Sequence, residues 1–320
     1  MGDIRLEHAK TWLAHHEQTQ TFTIQPLAGD ASFRRYFRIS TPEQSYVLMD
    51  APPEKEDVSP FVYVCLWLEE VGLNVPKIIV QDLDQGFLLL HDFGDVTWSK
   101  YINKNKQIDI LFKDALQQLH SLQHAEITLD LPIFNVARMQ RECDLYLDWY
   151  LPHFKTYIPS QEERGRFQES MLPLLEEINT LPQTAVHLDY HSRNLMVPDS
   201  GLPLGIIDFQ DAVVGPITYD LASLLYDCYQ DYPEAERCKW SKYFFDALSS
   251  ENKVFFNDFE AWHRAIRLTS LQRHIKVLGI FTRLAHRDGK TQFLDEIPLT
   301  QKHCMEELDA LSLHIPLLNT

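Results

Sequence analysis

The chain has 320 residues, 45% of them hydrophobic and 23% charged, a composition that excludes disordered and fibrous classes and leaves room for two lobes. Its 29 Lys and Arg against 46 Asp and Glu give a net charge of −17, which argues against a protein that holds nucleic acid by a positive field. Five cysteines without a C-x-x-C pair suggest neither a disulfide framework nor a zinc knuckle. With no apolar leader and no run near ~18 apolar residues, the expectation is a cytoplasmic protein with no membrane partner.

Apolar residues at Ile4, Leu6, Ala9, Trp12 and Leu13 predict an amphipathic helix from Asp3 to about His16. Alternation then predicts strands at Thr21–Leu27, Phe33–Ser40 and Ser45–Met49, and three in succession favour an antiparallel sheet. A helix over Pro60–Val71, stopped by Gly72, precedes two more strands at Lys77–Val80 and Phe87–Leu90. Beyond Asp92 helical patterns dominate: Ile108–Leu119, Met139–Tyr150, Glu162–Ile178, Tyr219–Tyr229, Trp240–Leu248, Phe255–Leu284 and Gln301–Leu313. Between the third and fourth of these lie two short β-like runs, Thr184–His187 and Gly205–Asp208, separated by a polar loop and an extended Leu195–Val197. The boundaries expected are 1–91 for a small sheet-rich lobe and 92–320 for a helical one.

The densest polar cluster is V-H-L-D-Y-H-S-R-N-L-M at 186–196, followed by I-I-D-F-Q-D-A. Asp189 and Asn194 stand in the register D-x-x-x-x-N, with Asp208 at a later strand end. Kinase-type phosphoryl transfer uses this set: one carboxylate orients the acceptor hydroxyl and takes its proton, while an amide oxygen and a second carboxylate hold magnesium on the phosphates. A competing reading takes His187, Asp189 and His191 as a transition-metal cluster on one face of an extended segment, but leaves Asn194 and Asp208 unexplained.

These residues, with Gly215-Pro216 and Tyr219-Asp220-Leu221-Ala222, resemble the aminoglycoside phosphotransferase family of small-molecule kinases. Three further segments, Gly29–Phe37, Val47–Glu54 and Leu271–Gly279, are similar to the bacterial N-acetylmuramate/N-acetylglucosamine anomeric kinases of that family, which act in cell-wall recycling. The resemblance implies a protein-kinase-like bilobal α+β fold, ATP and Mg²⁺ as cofactors, and a small-molecule partner, an amino sugar phosphorylated at its anomeric hydroxyl. It implies Asp189 as catalytic carboxylate, Asn194 and Asp208 as metal ligands, and Gly29–Tyr36, with Ser32, Phe33, Arg34 and Arg35, as the loop over the phosphates. Adenine would meet backbone at Leu89, Leu90, His91 and Asp92. Choline-like, homoserine-like and aminoglycoside acceptors, and a non-catalytic nucleotide-binding module, are the alternatives.

Two departures stand out. Met49 replaces the Lys or Arg that commonly binds ATP in the family, and Phe61 falls where its Glu partner would sit, so both halves of an ion pair are missing together. The phosphates then need other cations, for which Arg34, Arg35 and Lys55 are candidates. Asp92-Phe93-Gly94 spells the D-F-G of protein kinases but precedes the catalytic loop, so it is read as a turn. Arg193 either touches substrate or product phosphate, as a second catalytic residue, or pairs with an acidic neighbour. Asp211 is either a ligand behind the metal or a turn residue; Asp220 is read as capping a helix and orienting the catalytic loop.

Overall fold

A computed structural model describes residues 3–27, 33–102 and 108–318. Contacts divide the chain into two units, one of residues 1–96 and 196–210, the other of 97–195 and 211–320. The sequence reading drew a single boundary at 91/92; the compact first unit instead takes back the segment that carries Asp208.

In the first unit, α1 (Ile4–Ala14) is capped by the Asp3 side chain, which accepts from the Leu6 amide at 3.0 Å. It precedes β1 (Thr23–Pro26), β2 (Arg35–Ser40) and β3 (Ser45–Asp50), then α2 (Ser59–Glu70), β4 (Ile78–Asp82) and β5 (Phe87–His91). The five strands form one antiparallel sheet in the order β1-β2-β3-β5-β4. Strand alternation puts Phe37, Ile39, Tyr46, Leu48, Phe87 and Leu89 on one face, and there they bury Ala9, Trp12 and Leu13 of α1. Deletion of one such buried side chain typically costs ~2–5 kcal/mol. α2 ends where Gly72 takes φ +91°, and the amides of Gly72 and Leu73 close on the carbonyls of Glu69 and Leu68.

The second unit is mainly helical, with α3 (Trp98–Ile102), α4 (Asp109–His124), α5 (Val136–Leu145), a π-helical segment Tyr146–Phe154, and α6 (Gln161–Thr180). The short strands β6 (Gln183–Val186), β7 (Leu195–Met196), β8 (Gly205–Ile206) and β9 (Val213–Pro216) follow, β7 and β8 lying at or beyond the passage into the first unit. Next come α7 (Tyr219–Leu225), α8 (Glu234–Ala247), α9 (Ser250–Phe256), α10 (Phe259–Asp288) and α11 (Ile297–Leu311). The sequence reading lacks β9, which pairs antiparallel with β6 from Gln183↔Pro216 to Val186↔Val213. It also runs Met139–Tyr150 as one α-helix, where the backbone changes to π geometry at Tyr146 and stacks Tyr146, Tyr150 and Phe154.

α10 is the spine of this unit: 30 residues, about 45 Å at 1.5 Å per residue. Its Gly279 is a packing device, since a Cβ there would lie 2.5 Å from the carbonyl oxygen of Leu145. The absent side chain lets α10 seat against the end of α5. Among the described residues no helix is long and apolar enough to cross a membrane.

Candidate active site

In the second unit, β6 feeds the loop His187–Asn194, and two buried carboxylates fix its backbone. Asp220, on α7, accepts the amides of His187 at 2.7 Å and Leu188 at 3.0 Å. Asp227 accepts those of Ser192 at 2.9 Å and Tyr229 at 2.7 Å. Each grip satisfies loop N–H groups that cannot reach water. Asp220 makes no cap for α7, whose N-cap is Thr218 without a side-chain bond, so of its expected roles the loop contact is the one present. Burial pushes Asp220 up to about 7, against the pull of the two amides and Arg273.

Held this way, Leu188 adopts φ +77°, a left-handed conformation that costs a bulky residue roughly 1–2 kcal/mol and turns the chain sharply into Asp189. The Asp189 carbonyl then accepts both the His191 amide at 3.0 Å and the Asn194 side-chain Nδ2 at 3.0 Å. That commits the Asn194 amide nitrogen to the loop, so its oxygen is the atom with the chemistry of a cation ligand. Burial raises the Asp189 carboxyl, but the charges of Lys276 first, then His191, His187 and Arg273, outweigh it and hold the group below the ordinary carboxylate range. Asp189 is therefore ionised at neutral pH.

His187 uses Nδ1 to accept the Asp189 amide at 3.2 Å, and among the described residues no three His, Cys, Asp or Glu side chains are grouped to hold a metal. Of the two readings of Arg193, the structure displays the acidic pairing: its guanidinium bonds Glu296 and lies 3.7 Å from the Tyr229 ring centroid. Asp211 is an exposed turn residue.

In the first unit, Asp208 follows β8 and takes φ +66°, with its Oδ1 accepting from Gln210 at 2.8 Å. The segment before it is tied to the loop after α2, where Ile206 donates to the Asn74 carbonyl at 2.8 Å and Asn74 to Pro203 at 2.9 Å. Beside it Phe209 packs on Phe61 with centroids 4.9 Å apart. Met49 is fully buried within β3, so the two positions that lack the ion pair have become apolar core.

The cations expected to replace that pair have these contacts in the structure. Arg34 pairs with Glu56, and Arg35 bonds both Asp3 and the fully buried Asp50. In a chain at −17, acidic partners for exposed arginines are abundant, and a buried Asp50 without cations would be costly. Lys55 lies 5.2 Å from the centroid of the exposed Phe33 ring. Ser32, with the rest of 28–32, lies outside the described residues.

The expected adenine stretch, Leu89 to Asp92, spans the end of β5 and the residue after it. Leu89 and Leu90 are interior to β5, paired with β3 on one side and β4 on the other, and His91 donates its amide to Lys77. Asp92 follows β5, and its carboxylate accepts from Arg38 at 2.6 and 3.1 Å and from the Gly94 amide at 2.8 Å.

Asp227, Arg273 and Lys276 escape sequence reasoning as site residues. Asp227 carries one signal, a lone carboxylate in the apolar run Leu224–Tyr229; the other two lie in Leu271–Gly279, which had marked the resemblance only.

The architecture is that of the protein-kinase-like small-molecule kinases. A choline/ethanolamine kinase family protein from Mesorhizobium loti superposes with a TM-score of 0.66 at 12% identity, covering 96% of this chain and 97% of that one. The family model for the phosphotransferase enzyme family matches residues 23–265, and the chain belongs to that family. It is similar to the N-acetylmuramate/N-acetylglucosamine kinase of Pseudomonas putida, 36% identical over 92% of this chain and 89% of the relative. It is similar also to that of Pseudomonas aeruginosa, 38% identical over 85% and 80%. The chain is thus a phosphotransferase of the kinase type, with a hydroxyl acceptor.

Proposed function

We propose that the chain transfers the γ-phosphoryl of ATP, with Mg²⁺, to the anomeric hydroxyl of N-acetylmuramate or N-acetylglucosamine, giving the sugar 1-phosphate. The observation that carries the acceptor is the shared name of relatives 36% and 38% identical over most of the chain. In this reading Asp189, ionised and fixed by the Asp220 and Asp227 grips, orients the sugar hydroxyl. It takes the proton as the new O–P bond forms and the bond to the β-phosphate oxygen breaks, releasing ADP.

Asn194 and Asp208 offer an amide oxygen and a carboxylate, hard ligands of the kind Mg²⁺ selects beside phosphate oxygens. They are the ligands we assign to it, and its chemical contribution is neutralisation of charge on the β- and γ-phosphates. Arg193, anchored on Tyr229 and Glu296, is assigned a supporting role at the loop rather than a direct one.

The test is ADP release with Mg-ATP and a panel of acceptors: the two amino sugars, choline, homoserine and an aminoglycoside. The reading expects the amino sugars to be turned over at kcat/KM at least ~100-fold above the rest. Equal or higher turnover of another acceptor, or none with any, would contradict it.

A further inference from the structure

Arg273 is 4% exposed, and its Nε and Nη1 have no hydrogen-bond partner among the described residues. A buried guanidinium with bare N–H groups is rare, because each forfeits hydration without compensation. Its guanidinium carbon lies 5.3 Å from the centroid of Tyr219, whose phenol oxygen has Lys276 Nζ at 3.2 Å. Tyr219 adjoins Asp220, which grips His187 and Leu188, so the two cations border the loop that presents Asp189. Their charges act on Asp189 and its charge acts on theirs.

The carboxylates nearby do not quench this arginine. Asp227 accepts from Ser192 and Tyr229 and Asp220 from the two loop amides, and neither accepts from Nε or Nη1 of Arg273. Lys276, by contrast, has Glu142 at 3.5 Å. What the surroundings supply to Arg273 is an aromatic face and through-space negative charge, and what they withhold is an acceptor oxygen.

We infer that Arg273 is an anion-binding residue beside Asp189, whose bare N–H groups are completed by an oxyanion of the reacting ligands. The inference rests on the proposed amino-sugar kinase reading and names its anion contact. Two oxyanions fit this chemistry: the carboxylate of N-acetylmuramate, which N-acetylglucosamine lacks, and the phosphoryl group in transfer, common to both reactions. The phosphoryl group, unlike the sugar carboxylate, would also find on Arg273 part of the charge compensation that Met49 does not supply.

The experiment uses the full chain carrying R273M or R273K, with kcat and KM for each amino sugar at saturating Mg-ATP and the melting temperature as a check of folding. R273M is expected to lower kcat/KM by ~10- to 100-fold, the range of one charge-assisted hydrogen bond. A loss confined to KM for N-acetylmuramate identifies the carboxylate; a loss in kcat for both sugars identifies the phosphoryl group. If R273M melts like the wild type and changes both sugars by less than about threefold, the guanidinium is merely hydrated and the inference fails. Should R273M not fold, R273K decides by the same thresholds, since lysine keeps the charge but not the directed N–H groups. A wild type idle with both sugars would sink the kinase reading instead, whereas an active wild type with indifferent variants sinks this inference alone.

Discussion

Asp189 does its work through position and charge, and both are set by neighbours. Asp189→Asn keeps the shape of the loop but removes the proton acceptor, so kcat should fall by on the order of 10²–10⁴ with nucleotide affinity retained; single-turnover kinetics beside nucleotide titration check this, and near-normal turnover would remove Asp189 from its role. Asp208→Ala should abolish magnesium-dependent nucleotide binding. Asp92→Ala should leave that dependence intact while loosening Arg38, because Asp92 is occupied by Arg38 and Gly94. Calorimetric titration with and without magnesium separates the two. The spacing of Asp189, Asn194 and Asp208 was legible because a local motif carries it. The fates of Arg34 and Arg35 were not, because Glu56, Asp50 and Asp3 come to them through the fold of the first unit.

Helix α10 joins structure to chemistry, with Arg273 and Lys276 toward the catalytic loop and Gly279 against α5. Gly279→Ala would force a methyl onto the Leu145 carbonyl and should cost about 1–3 kcal/mol, read from denaturant unfolding. On the same helix, His274 donates from Nδ1 to Glu307 of α11 at 2.7 Å and from Nε2 to the Tyr226 carbonyl at 2.9 Å, the pattern of an imidazolium. Burial opposes that charge, but Glu307 prevails and raises His274 to about 9. A raised histidine binds its proton more tightly folded than unfolded, so its stabilisation is complete below the unfolded value near 6.5 and is lost as pH rises through about 9. The melting temperature should therefore decline over that window, and Glu307→Gln should flatten the decline; an unchanged slope would show that the pair does not set it. Most elements of both units were legible from period and caps. What was not includes α3, the break at Asn257 and Asp258 that parts α9 from α10 within the expected helix Phe255–Leu284, and β9 and the π segment, which depend on pairing and stacking partners remote in sequence.

The chain passes between its two units at 96/97, 195/196 and 210/211, so Asp189 and Asn194 belong to one unit and Asp208 to the other. A reading by chain order alone puts all three in one lobe, because composition registers helices and strands but not which unit a returning segment joins. Family membership fixes the reaction class, and the names of the relatives supply the acceptor. The central claim is that the phosphoryl group is delivered to the anomeric oxygen of an amino sugar. It is tested most directly by ¹H–³¹P correlation NMR of the product formed from Mg-ATP and N-acetylglucosamine. The account predicts a phosphate resonance coupled to the anomeric proton; coupling to the protons at the sixth carbon, or inorganic phosphate as the only new signal, would contradict it.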